Sequence, residues 1–297
     1  MNQDLLLGVA ARSGGVLLTE RALALGMTHG QFRRILDNER WQPIHYGAWA
    51  PPGTTITHHV RLRAFQQRHP CLVASHWSAA AVLGIDDKCP TPQLTCTQLH
   101  GHHLSHAAAY RLPLPPAHIA HLDGIAVTTA ARTACDLATA LVGHDAVIAV
   151  DSILRTGRTS KREIATVLSE FGGRRGRPAA RVVLARCDPG SGSPAETKAR
   201  LVLCDGGLHP RTQAPVATFQ GTRYLDLLLE EPHTAPLGIE IEGFAYHGSR
   251  VDHRRDVHRF NAIGYCRILR FTSNDVFDYP MTMLETVRRT LSELRLA

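Results

Sequence analysis

The segment Leu237-Gly-Ile-Glu240-Ile-Glu242-Gly243 constrains this chain most, because acidic and apolar side chains alternate along it with a period of two. A strand is the only regular element with that period, and it sends Glu240 and Glu242 to one face and Ile239 and Ile241 to the other. Just before it lies a second strand-like run, Arg223-Tyr-Leu-Asp226-Leu-Leu-Leu229, with one carboxylate among apolar residues. The stretch Glu-Glu-Pro-His-Thr-Ala-Pro at 230–236 supplies the turn between them. Adjacent strands would gather carboxylates, which repel one another and lose hydration unless a cation is held between them. Mg²⁺ or Mn²⁺ suits such a site, since Mg²⁺ takes one or two carboxylates and fills its shell with waters and phosphate oxygens. An edge strand with solvated acids is the plainer alternative.

Upstream, the pattern predicts two further regions. Residues 5–12 begin as a helix that Gly14-Gly15 ends, and a short helix runs from Thr19 to Leu25. Thr28 and Gln31 have capping-box spacing at the start of another helix. There Phe32, Ile35 and Leu36 form the buried stripe and Arg33 and Arg34 point away. Two short strand-like runs between Trp41 and Trp49 follow as a hairpin. This order is that of a winged helix, whose second paired helix enters a major groove; Arg33 and Arg34 are then candidate DNA-phosphate contacts. From about 57 to 170 helices and short strands mix. Gly, Pro and Ser cluster at Arg174–Arg177 and Asp188–Pro194, placing a domain boundary between Arg174 and Ser191.

The chain carries a formal charge of +7, and residues 151–200 hold 11 Lys/Arg against 5 Asp/Glu. A polyanion partner fits that balance. Arginine outnumbers lysine 30 to 3, and no lysine follows Lys198. Seven cysteines form no CxxC pair, so reduced thiols and a cytoplasmic location are expected. No apolar run approaches 18 residues, so no membrane span is expected. Cys89, Cys96, His100, His102, His103 and His106 lack the spacing of a closed zinc site.

Two resemblances follow from these residues. The front half resembles the AbiEi-type antitoxin family through Gly47-Ala-Trp-Ala-Pro51, His76-Trp-Ser-Ala-Ala-Ala-Val-Leu-Gly84 and Thr128-Thr-Ala-Ala-Arg132-Thr-Ala-Cys-Asp136-Leu-Ala. That likeness implies a bacterial DNA-binding or regulatory front half and no chemistry. The back half resembles very-short-patch-repair-like endonuclease domains of the PD-(D/E)XK kind. Asp226, Glu240, Glu242, Gly243 and His247 carry it, with Asp252, Arg255-Asp256, Asn261, Gly264-Tyr265 and the strand Arg267–Phe271.

The second resemblance implies Asp226 and Glu240 as metal ligands and Glu196 as a supporting acid on a preceding helix. Glu242 stands where the wider superfamily carries lysine, and glutamate cannot donate that positive charge. His247 as base or proton shuttle is the favoured substitute; Arg255 or Arg270 could supply the charge, or Lys198 could reach across. Arg255 and Arg270 are also candidate DNA contacts.

The fold expected is α/β, α+β overall: a winged helix over 1–56, a middle α+β domain over 57–175, and a restriction-endonuclease-like mixed sheet flanked by helices over 190–297. The function expected is Mg²⁺- or Mn²⁺-dependent cleavage of DNA in bacterial defence or repair. The alternative is a catalytically inactive AbiEi-like antitoxin or transcriptional regulator, with a cognate toxin as partner.

Overall fold

A computed structural model describes residues 2–85, 89–97, 104–171, 175–218, 221–242 and 266–296. The fold is α+β, with three separate sheets flanked by helices. The chain forms two compact units: Met1–Leu137 with Thr166–Glu170, and Ala138–Ala165 with Phe171–Ala297.

Unit 1 opens with helix α1 (Asn2–Arg12), strand β1 (Leu17–Leu18), helices α2 (Thr19–Ala24) and α3 (His29–Asn38), and the hairpin β2 (Gln42–His45) and β3 (Ala48–Ala50). The Thr28 hydroxyl accepts from the Gln31 amide at 3.2 Å, and Gln31 Oε1 accepts from the Thr28 amide at 2.9 Å. This reciprocal cap satisfies two amides that a helix start otherwise leaves bare. Phe32 and Leu36 are buried with Leu6, Leu17 and Trp41, while Arg33 and Arg34 are exposed. Strand β1, too short to show a period in sequence, pairs with β3 and completes a small antiparallel sheet in the order β1-β3-β2.

The rest of unit 1 contains helices α4 (His58–Arg68) and α5 (His76–Val82) and a five-stranded mixed sheet. Its strands are β4 (Val73–Ala74), β5 (Gln93–Cys96), β6 (Ala108–Arg111), β7 (Ile119–Leu122) and β8 (Ile125–Thr128), in the order β6-β5-β4-β8-β7. Helix α6 (Ala130–Ala140) follows β8, and its residues Arg132 and Asp136 are fully buried as an i,i+4 ion pair at 3.1 Å. The Arg132 guanidinium also donates to the Pro113 carbonyl at 2.9 Å. The Thr-Ala-Ala-Arg-Thr-Ala-Cys-Asp motif thus has a structural job, holding its helix against the chain before β7.

Unit 2 is built on helices α7 (Gly143–Arg155), α9 (Arg177–Arg186) and α10 (Pro194–Asp205), with α8 (Lys161–Glu170) crossing the division between units. Strands β9 (Arg211–Thr218), β10 (Gly221–Leu229), β11 (Leu237–Glu242) and β12 (Arg267–Thr272) follow, then helices α11 (Ser273–Asp278) and α12 (Pro280–Leu296). The sheet runs β12-β11-β10-β9; β11 and β12 pair in parallel and the other neighbours antiparallel. Pro215 is tolerated in β9 because that strand lies on the sheet edge. Leu227, Leu229, Leu237 and Ile239 bury one sheet face against Leu203 of α10, Val276 of α11 and Val287 of α12.

The compositional boundary between Arg174 and Ser191 is not where the compact units part. Residues 138–165 go with the C-terminal unit because α7 packs on α10 around a buried charge pair. Asp151 is 0% exposed and its Oδ2 lies 3.0 Å from Arg200 Nη2. Among the described residues, no helix is long and apolar enough to cross a membrane.

Candidate metal centre

The centre begins with the turn that leads into α10. Ser193, extended at φ −147°, caps that helix: its hydroxyl accepts from the Glu196 amide at 3.1 Å, and Pro194 takes the first helical position. The Glu196 carboxylate folds back to accept from the Gly192 amide at 2.7 Å. A side chain at Gly192 would crowd it, since a Cβ there would lie 3.0 Å from both carboxylate oxygens.

The preceding turn is held from below. Asp151 accepts from the Asp188 amide at 2.9 Å and the Thr197 hydroxyl at 3.2 Å. Arg200 donates to the Arg186 carbonyl at 2.9 Å and reaches the Ser191 hydroxyl at 3.4 Å. Burial pushes the Asp151 carboxyl above its ordinary range, against the pull of Arg200 and these hydrogen bonds.

Glu196 meets the sheet through Gln213 of β9. The Gln213 amide nitrogen donates to Glu196 Oε2 at 3.1 Å and to Asp226 Oδ1 of β10 at 3.2 Å. Gln213 lies directly across from Asp226, between the paired positions Ala214–Leu225 and Thr212–Leu227. Its φ of +44° is a left-handed conformation that side-chain-bearing residues avoid, at a cost of about 1–3 kcal/mol.

The other Asp226 oxygen, Oδ2, accepts from the Ile241 amide at 2.8 Å. This bond occurs where the β10–β11 ladder has ended: pairing stops at Leu227–Ile239, whereas β11–β12 pairing continues to Glu242–Thr272. The Asp226 carboxylate therefore takes the place of a missing ladder acceptor at the split between two strands. Burial raises the pKa of Glu196, and the nearby Asp226 charge raises it further; hydrogen bonds from Gly192, Ser193 and Gln213 oppose both.

Glu240 is buried, at 8% exposure. Extending the Leu227–Ile239 register by one residue sets it opposite Asp226, and its neighbour on β12 is Arg270. Ile239 and Ile241 pack into or against the core on the other face. Glu242, at the strand end, is exposed and faces the Arg270 guanidinium at 3.6 Å.

Asp226 and Glu196 are thus brought together, Glu240 is on the neighbouring strand, and Glu242 is tied to Arg270. Among the described residues no group of three or more His, Cys, Asp or Glu side chains is placed to hold a metal ion. Glu196 and Asp226, bridged by the Gln213 amide, could supply oxygen ligands to a hard divalent cation whose shell water or phosphate completes. His247 and Arg255 lie outside the described residues, as do Gly243, Asp252, Asp256, Asn261, Gly264 and Tyr265. Arg33 and Arg34 belong to unit 1.

Two participants escaped the sequence reading. Gln213 gave no signal there, because a polar residue beside Pro215 on an edge strand is ordinary. Arg155 of α7 is half-buried, donates to the Ser152 hydroxyl at 2.7 Å and feels the charges of Asp151 and Glu196. The concentration of basic residues over 151–200 was the available hint.

No family model matches this chain. Two curated relatives from strains of Mycobacterium tuberculosis, "Uncharacterized protein MT2308" and "Uncharacterized protein Rv2248", are each 30% identical over 186 residues, spanning 61% of this chain and 67% of theirs. By that identity and coverage, the chain belongs to the family of these mycobacterial proteins.

Proposed function

We propose that unit 2 is a divalent-metal-dependent phosphodiesterase domain acting on DNA, an endonuclease of bacterial defence or repair working in the cytoplasm. The observation that carries this reading is the bridge from Glu196 through Gln213 to Asp226 at the point where β10 and β11 separate. Two carboxylates converge here from a helix and a strand, with Glu240 in register on the next strand, so the donor atoms gathered are all oxygen. Mg²⁺ or Mn²⁺ would supply Lewis acidity toward a phosphodiester and organise an attacking water.

The chain's own groups do the rest. Glu196 and Asp226 would hold the cation, and the Ile241 amide fixes the rotamer of Asp226. Arg155, which feels the Glu196 charge, offers the positive potential that lysine supplies in the nucleases this domain resembles. His247 remains the candidate base. The exposed Arg33 and Arg34 on the capped helix α3 suit DNA phosphates, so unit 1 would position the substrate.

A second reading, a regulator or antitoxin with a cognate toxin that uses the same domain only for binding, is favoured by one observation. The Glu242 carboxylate, which by the resemblance stands where those nucleases carry lysine, lies 3.6 Å from the Arg270 guanidinium. Calorimetric titration with Mn²⁺ tests the proposal. Wild type is expected to bind the ion and Asp226→Ala to lose that binding; a wild type that binds none leaves the regulator.

A further inference from the structure

Unit 1 contains a cationic pocket whose lining includes no residue of the carboxylate centre. Arg12 at the end of α1, Arg21 of α2 and Arg63 of α4 converge on a cavity of about 450 Å³, whose wall also includes Gly14, Gln67 and Asp123. None of the three arginines forms an ion pair with a carboxylate among the described residues. The acidic compensation nearby is the Asp123 side chain and the C-terminal end of α1, which carries about half a negative charge. Positive charge is left over, and like charges gathered in a concave site repel unless an anion joins them.

Two of the three arginines, Arg63 and Arg21, are held by hydrogen bonds. Arg63 donates from Nη2 to the Asp123 carbonyl at 2.8 Å and from Nη1 to the Gly14 carbonyl at 3.5 Å. Its stem lies on Gly14, where φ is +64° and a Cβ would come within 2.9 Å of Arg63 Cδ. Arg21 donates to the Ser13 hydroxyl, and Gln67 fixes the same turn through the Ser13 carbonyl at 2.6 Å. Each guanidinium has five N–H donors, and these contacts use two on Arg63 and one on Arg21.

We infer that this pocket binds a phosphate group, brought either by a free nucleotide or by a nucleic-acid backbone. Guanidinium forks match phosphate oxygens in pairs, and a phosphate monoester carries about −1.5 to −2 charges at neutral pH. The cavity lies within the roughly 300–1,000 Å³ range of small-ligand sites.

The test uses the full chain in chelator, so that cleavage and metal binding do not enter. Inorganic pyrophosphate and a nucleoside triphosphate are titrated by calorimetry, and a short duplex by fluorescence anisotropy over a salt series. Arg12→Gln/Arg21→Gln is compared with Arg33→Gln/Arg34→Gln, which removes the same charge from α3; Arg63 is left in place because it braces the turn. For a free-ligand site, pyrophosphate or the nucleotide binds wild type and the Arg12/Arg21 pair weakens it about tenfold or more, with the Arg33/Arg34 pair unchanged. For a backbone site, only the duplex binds, and the Arg12/Arg21 pair lowers its affinity and flattens its salt dependence. Binding of all three probes unaffected by the Arg12/Arg21 change, or no binding at all, overturns the inference.

Discussion

Replacing Arg200 by methionine leaves the Asp151 carboxylate buried without its cation, and the structure sets the size of the loss. The pair is separated by 3.0 Å with Asp151 fully buried. At an effective dielectric constant of about 20, the direct attraction is about 5 kcal/mol. Proton uptake limits the damage: neutralising an ordinary carboxyl at pH 7 costs about 4 kcal/mol, and burial lowers that cost. A destabilisation of about 3–4 kcal/mol is expected, within the range for breaking a buried pair.

The pH dependence has a definite sign. Without Arg200 the folded-state pKa of Asp151 rises further above its unfolded value, so the folded variant gains a proton that the unfolded chain lacks. The deficit is therefore small in acid and grows as pH rises through the folded-state pKa. Asp151→Asn/Arg200→Met, which removes both charges, should recover at least about half of the loss. Trp41, Trp49 and Trp77 all lie in unit 1, so tryptophan fluorescence does not report this change. Hydrogen exchange over peptides spanning 143–155 and 188–205 does, and the same peptides report whether the turn that aims Glu196 loosens. A single-variant loss below about 1 kcal/mol, or additive behaviour of the two changes, would refute the reasoning.

Three other perturbations follow. Arg33→Ala/Arg34→Ala should weaken duplex binding and reduce the log–log salt slope by about 1–2, read by anisotropy; an unchanged slope assigns α3 another role. Glu242→Lys removes a half-exposed ion pair with Arg270 worth at most about 1 kcal/mol and restores positive charge at that position. Cleavage assays should show activity kept or raised, whereas loss of both activity and Mn²⁺ binding would make Glu242 a ligand. Asp205 is nudged up by slight burial, but hydrogen bonds from His144 and Arg186 hold its carboxyl below the ordinary 3.8. Its small contribution to stability is complete above that value and lost as pH falls through the lower folded-state pKa. Asp205→Asn should therefore lower stability at pH 6 and converge with wild type in acid unfolding; an equal difference at both pH values contradicts the linkage.

What the sequence made legible was local. The Thr28–Gln31 cap, the Phe32–Leu36 stripe and the alternation along Leu237–Glu242 each rest on residues within one element, where period and capping chemistry suffice. The two-residue strands β1 and β4 were invisible because pairing partners define them, not their own composition. Asp226 stood out as a lone acid in an apolar strand, but its hydrogen-bond partner Gln213 could not be read. Gln213 reaches it only because β9 and β10 pair in one register and the backbone turns left-handed at that residue. The placement of α7 likewise depends on Asp151 meeting Arg200 across 49 residues.

Cleavage of supercoiled plasmid separates a nuclease from a binding domain, with wild type and Asp226→Ala run side by side in Mg²⁺, in Mn²⁺ and in chelator. Nicked or linear product is expected from wild type with either ion, none in chelator, and none from Asp226→Ala while its duplex affinity is kept. Product that persists in chelator or in Asp226→Ala, or intact plasmid from wild type in both metals, would contradict the nuclease reading.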